Sequence, residues 1–196
     1  MSEFTVAITG ASGSACARGL LGALSAHPDV RRINAVISSS ALTVAREELG
    51  PRDASLDRIR ARLCEDTSKI RWFDERDVGA PIASGSYRQR GTVILPCSMS
   101  TLGAVASGAS HNLIHRAAEV TLKERRLLVL GVREAPLSAI HLRNMLTVTQ
   151  AGAVVLPITP AFYGHPRTID DVIELYLGRV LDHLGLPQSL GKRWGS

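Results

Sequence analysis

Apolar residues fall into short unbroken runs separated by longer stretches of helical period. Residues 4–9, 33–37, 92–96 and 127–132 are nearly continuous apolar runs. Runs of that length, buried on both faces, mark the strands of a parallel sheet. Residues 70–73 and 153–156 are weaker strand candidates. Helical spacing covers 14–24, 40–49, 51–67, 136–149 and 169–184, and a long stretch between the strands at 92–96 and 127–132 that is interrupted near Gly108. Strands alternating with helices predict a three-layer α/β/α architecture with a mostly parallel sheet.

Length and composition narrow this picture. The 196 residues suit one domain (1–196), with 185–196 read as a C-terminal extension. No apolar run approaches the roughly 20 residues that cross a bilayer, and residues 1–3 lead straight into a strand-like run. No membrane association and a cytoplasmic location are therefore expected. Cys16, Cys64 and Cys97 are far apart, odd in number and form no CxxC pair, so neither a zinc site nor a disulfide framework is indicated. The six histidines show no HxH or HExxH spacing, and no metal is expected. The formal charge is +5, and arginine supplies 20 of the 23 basic residues. With no basic tail and with acids scattered among the arginines, nucleic acid is not expected. The planar guanidinium fork suits small phosphorylated ligands instead.

Four segments carry candidate chemistry, all at carboxyl ends of strands, where open α/β sheets bind ligands. Gly10-Ala11-Ser12-Gly13 joins the first strand to the first helix. It is either a tight turn or a cradle whose amides and helix terminus attract an anion. Pro96-Cys97-Ser98-Met99-Ser100-Thr101 adds three hydroxyls at a second helix start, where Ser98 or Ser100 could equally be an N-cap. Cys97 has no evident base nearby and reads as a small buried side chain. Arg133-Glu134 follows a buried strand and is a better site candidate than the charges on the preceding helix. Pro160–Pro166 holds Tyr163, whose hydroxyl could meet a phosphate or whose ring could plug a loop.

Beyond a phosphate-bearing ligand at the strand ends, a resemblance extends the reading. ITGASG (8–13), VIS (36–38), APIASGS (80–86), VILPCSMSTL (93–102), NLIHRAAEVTLKERRLLVLGVREAPLSAIHLRNML (112–146), GAVVLPITPAFYGHP (152–166) and the ending RVLDHLGL…RW (179–194) together resemble the UbiX-type flavin prenyltransferases, once named as aromatic acid decarboxylases. The match spans residues 8–194, nearly the whole chain. It implies a Rossmann-like flavoprotein fold of the UbiX and cysteine-decarboxylase type. It also implies transfer of a dimethylallyl group from dimethylallyl phosphate to N5 and C6 of reduced FMN, without a metal. The product, prenylated FMN, would serve a UbiD-type decarboxylase. Members assemble as homododecamers with sites between subunits.

The resemblance also assigns roles. Gly10, Ala11, Ser12, Ser38, Ser98, Met99, Ser100, Thr101 and Arg133 would bind the flavin. Lys123, Tyr163 and Arg179 would hold the allylic phosphate, and Arg116, Glu48, Glu134 and Trp194 would line the pocket. Lys123, Arg133, Arg179 and Tyr163 suit a departing phosphate. Trp194 and the flavin offer π-faces to an allyl cation. Ser12 and Glu134 are candidate proton carriers, with Glu48 and Lys123 completing the catalytic set. The chain departs from the family pattern at Ser100, where many members have glycine, at Ser39, where lysine is common, and at residues 14–17. The alternatives are an FMN-dependent decarboxylase of the cysteine-decarboxylase family, whose PASANT-type asparagine is missing from PCSMST, and a non-catalytic FMN-binding subunit.

Overall fold

A computed structural model gives the fold, and the description covers residues 2–191. Six parallel strands form one sheet in the order β3-β2-β1-β4-β5-β6. The strands are β1 (Ser2–Ile8), β2 (Val30–Ile37), β3 (Ile70–Phe73), β4 (Gly91–Cys97), β5 (Leu127–Val132) and β6 (Val154–Val155). Seven α-helices connect and follow them: α1 (Ser14–Ala26), α2 (Ser39–Leu49), α3 (Leu56–Leu63), α4 (Met99–Ser107), α5 (Leu113–Lys123), α6 (Ala139–Gln150) and α7 (Ile169–His183). This is the doubly wound three-layer arrangement that the alternating pattern implied.

Strand residues alternate between two cores. Phe4, Val6, Ile8, Val93, Leu95 and Val129 pack with α1, α2, α3 and α7. Ala7, Val36, Ile94, Leu128 and Leu130 pack with α4, α5, α6 and the short turn at Pro81–Ala83. Burial on both faces explains why the central strands are almost wholly apolar.

Some element ends differ from the sequence reading. The helix expected over 51–67 is confined to α3, because Ser55 accepts the Arg58 amide at 3.3 Å and starts it, and Cys64 turns extended. Pro136 does not open α6. Ser138 does, through reciprocal bonds with His141 that satisfy two orphan donors. The long stretch before β5 divides at Gly108, whose φ of 69° caps α4 in the left-handed region. Beyond α7, Leu186 is buried and Leu190 packs against the first core, so the described part of the C-terminal stretch lies on the body of the fold.

Candidate active site at the strand ends

The chain runs outward from β1 to β2 and β3, then returns to β4 on the other side of β1. That reversal opens a crevice between the carboxyl ends of β1 and β4, the expected ligand position in such sheets. Thr9 ties the two strand ends together. Its hydroxyl donates to the Pro96 carbonyl at 2.9 Å and accepts the Ser98 amide at 2.8 Å. Sequence reasoning passed over Thr9, although a polar residue closing an apolar strand at the ligand end is the signal that could have found it. Thr9 is buried, so Thr9→Val would leave the Ser98 amide without its acceptor. We expect a loss of about 1–3 kcal/mol in chemical denaturation, together with weaker flavin binding.

Four strand ends bring the flavin candidates together. Gly10, Ala11 and Ser12 follow β1, and Ser38 follows β2, where its amide donates to the Ile8 carbonyl at 3.0 Å. Ser38 caps α2 by accepting the Ala41 amide at 3.0 Å and lies 3.0 Å from the Ser40 hydroxyl. Ser98, Met99, Ser100 and Thr101 form the start of α4, which Ser98 caps by accepting the Thr101 amide at 3.3 Å. Arg133 and Glu134 follow β5 and are exposed, and the Arg133 amide donates to the Cys97 carbonyl at 3.3 Å. Tyr163 lies at the same end of the sheet, in the loop after β6. Cys97 is fully buried, and burial pushes its thiol up to about 12, so it stays protonated and unreactive.

Glu48 gives the first turn an unexpected form. Gly13, at φ 131°, lets the chain enter α1 with its amides pointing outward. Its amide lies 3.2 Å from both Glu48 carboxylate oxygens, and the Ser14 amide donates to Glu48 at 2.7 Å. The anion attracted to this helix start is thus the chain's own carboxylate, where the sequence suggested an external phosphate. Burial raises the Glu48 pKa, but hydrogen bonds from the Ser12 and Ser14 hydroxyls and the two amides outweigh it and hold the group below the usual range. A depressed pKa stabilises the fold above the unfolded value and loses that contribution as pH falls through the folded value. Glu48→Gln should therefore unfold more easily than the wild type at neutral pH. The gap should close as pH drops below about 4.3, the ordinary glutamate value, which paired denaturation curves would show.

Apart from Tyr163, the phosphate candidates stand elsewhere. Lys123 ends α5, four residues before β5 begins, so it lies at the amino end of the sheet. Its amine is 4.0 Å from Glu124. Arg116, two turns earlier, donates to the Ala83 carbonyl at 3.1 Å and pairs with Glu119 at 2.9 Å. Arg179 pairs with Asp182 at 3.2 Å near the close of α7, which ends beside Arg90 just ahead of β4. A seven-residue strand spans about 20 Å, so Lys123 cannot reach the flavin turn of its own chain. Trp194 lies outside the described residues. Among those residues, no cluster of three or more metal-ligating side chains occurs, and no helix is long and apolar enough to cross a membrane.

The Flavoprotein family model matches residues 2–181. A flavin prenyltransferase UbiX from Methanocaldococcus jannaschii is 44% identical over 99% of both chains. The chain belongs to the UbiX flavin prenyltransferases. Two solved structures align over nearly the whole chain. AnUbiX, in complex with FMN and dimethylallyl pyrophosphate, is 41% identical with a TM-score of 0.88, covering 100% of this chain and 98% of the other. A dodecameric FMN-dependent UbiX-like decarboxylase from Escherichia coli O157:H7 is 40% identical, also with a TM-score of 0.88, covering 99% and 100%.

Proposed function

We propose that this chain, working as a single flavin-binding domain, transfers a dimethylallyl group from dimethylallyl phosphate to N5 and C6 of reduced FMN. The reading rests above all on near full-length identity to curated flavin prenyltransferases. The crevice suits a flavin. Small residues and hydroxyls follow β1, β2 and β4, with Arg133 after β5, and because Glu48 already fills the α1 amides, the hydroxyls of Ser38 on one side of β1 and of Ser98 and Thr101 on the other would remain for the ribityl phosphate.

Reduced flavin, when bound, supplies the nucleophilic ring positions. The chain supplies charge, orientation and proton handling. Lys123, Arg179, Arg116 and Tyr163 would receive the phosphate as the allylic C–O bond breaks, each donor worth about 3 kcal/mol. Lys123 and Arg179 would turn from Glu124 and Asp182 toward it. Glu48 orients the Ser12 hydroxyl, and Ser12 with Glu134 would carry the proton released on ring closure. Trp194 would face the allyl group.

Because Lys123 lies a sheet's length from the flavin turn, the complete site would join two copies of the chain. Exposed Leu137, Ile140, Leu142, Leu146 and Phe162 provide apolar surface for such association, and a homododecamer is the proposed assembly. Prenylated FMN would pass to a UbiD-type decarboxylase in the cytoplasm. A cysteine-type decarboxylase is disfavoured by the missing asparagine in PCSMST, and a non-catalytic flavin carrier by the presence of Lys123, Tyr163 and Arg179.

The test is anaerobic incubation with reduced FMN and dimethylallyl phosphate, followed by mass spectrometry of the flavin. A gain of one C5 unit supports the reading. Unmodified FMN with either the monophosphate or the pyrophosphate, despite tight flavin binding, would sink it.

A further inference from the structure

Arg126 opens the approach to β5 and is half-buried, and its guanidinium is directed at backbone carbonyls. One nitrogen donates to the Tyr87 carbonyl at 2.7 Å and another to the Gly85 carbonyl at 2.8 Å. Both acceptors belong to one exposed turn. Within it, the Ser84 and Ser86 hydroxyls lie 2.9 Å apart, and the Tyr87 amide donates to the Ser84 carbonyl at 3.2 Å. Arg116 holds the preceding residue through the Ala83 carbonyl at 3.1 Å. Beyond the turn, the Tyr87 hydroxyl donates to Glu3 at 2.5 Å. The two serines are therefore held on a fixed backing next to Glu124, whose carboxylate packs against Gly85 and lies 4.0 Å from the Lys123 amine, and Ser84, Ser86 and Lys123 are all exposed. A forked guanidinium bridging two carbonyls fixes direction as well as distance, which a lysine amine cannot do.

We infer that Arg126 is a positioning residue for the donor phosphate. It locks the Ser84–Tyr87 turn in register with Lys123, so that this face meets the phosphate as one preformed surface. The inference rests on the prenyl-transfer reading. It goes further by assigning a task to a side chain that would touch neither flavin nor donor.

The experiment compares wild type, Arg126→Ala and Arg126→Lys for three quantities: steady-state prenyl transfer against dimethylallyl phosphate, FMN affinity by fluorescence quenching, and thermal midpoint. For Arg126→Ala the KM for dimethylallyl phosphate should rise about tenfold, the size expected for losing a charge-assisted bond to the turn. Saturating kcat should stay within about threefold and FMN affinity within about twofold. Arg126→Lys, able to serve one carbonyl at a time, should fall between. An unchanged KM in both variants overturns the inference. So does a rise in KM matched by equal loss of FMN affinity and a lowered thermal midpoint, which marks a merely structural arginine. A wild-type chain that binds FMN but transfers nothing overturns the functional reading, and this inference with it.

Discussion

Arg133→Ala and Lys123→Ala, each inactive alone, should regain prenyl transfer when their chains are unfolded together and reassembled. Arg133 follows β5 at the carboxyl end of the sheet, and Lys123 precedes β5 at the amino end. On the proposed assignment one chain cannot bring both to one donor, and a working site would take Arg133 from one copy and Lys123 from another. In a random mixture of equal parts, about one site in four receives both intact halves, as follows for an interface between unlike patches. Each variant alone should lose about 10²–10³-fold in rate, as expected when one donor to developing charge is removed. Activity near a quarter of wild type after mixing, against almost none for either parent, would establish the shared site. Activity no higher than the mean of the two parents would show that each site draws on a single chain.

The same separation shows what can be read along a chain and what cannot. The central strands were legible because a strand covered on both faces must be apolar at nearly every position, and 92–96 and 127–132 leave no other reading, whereas the partly exposed edge strands β3 and β6 gave only weak signals. The gathering of Gly10–Ser12, Ser38, Ser98–Thr101 and Arg133 was legible too, since each follows a strand and parallel strands end on one side. By that logic Lys123, which precedes a strand, belongs to the other side. Similarity in sequence groups residues by role and carries no information on which copy of the chain supplies them.

Other features depend on contacts distant in sequence. Glu48 reaches the α1 amides across 34 residues, and Thr9 meets Ser98 across 89. Nothing in the local pattern around either residue reports those partners. The limits of α3 and α6 were set by Ser55 and Ser138 as caps, where periodicity alone extended the helices too far. Arg126 was hidden for a different reason. Within Lys-Glu-Arg-Arg it looks like one more charge on a solvated helix, and only the return of the Ser84–Tyr87 turn to the same edge of the sheet gives it a task.

The largest effect on flavin binding is expected from Gly10→Ala. A β-carbon at position 10 would lie 2.5 Å from the Ser40 hydroxyl oxygen, 2.6 Å from the Ser40 β-carbon and 3.3 Å from its carbonyl carbon. A β-carbon attached to the helix backbone cannot swing aside as the end of a long side chain would. Either the β1 turn lifts or the start of α2 retreats, and both carry flavin candidates, Ser12 on one and Ser38 on the other. Such overpacking typically costs about 1–3 kcal/mol. Concentrated at the ligand, this should raise the FMN dissociation constant by about a hundredfold, while the thermal midpoint falls by only a few degrees, about 2–4 °C per kcal/mol for a chain of this size. The contact also names its own suppressor. Ser40→Gly removes both close atoms and leaves the 3.3 Å approach to the carbonyl carbon, so Gly10→Ala combined with Ser40→Gly should recover most of the lost affinity. Fluorescence titration of FMN against the wild type, the two single variants and the double variant measures this coupling directly. A Gly10→Ala chain that binds FMN normally, or one whose defect Ser40→Gly leaves in place, would show that the flavin does not depend on the close approach of these two turns.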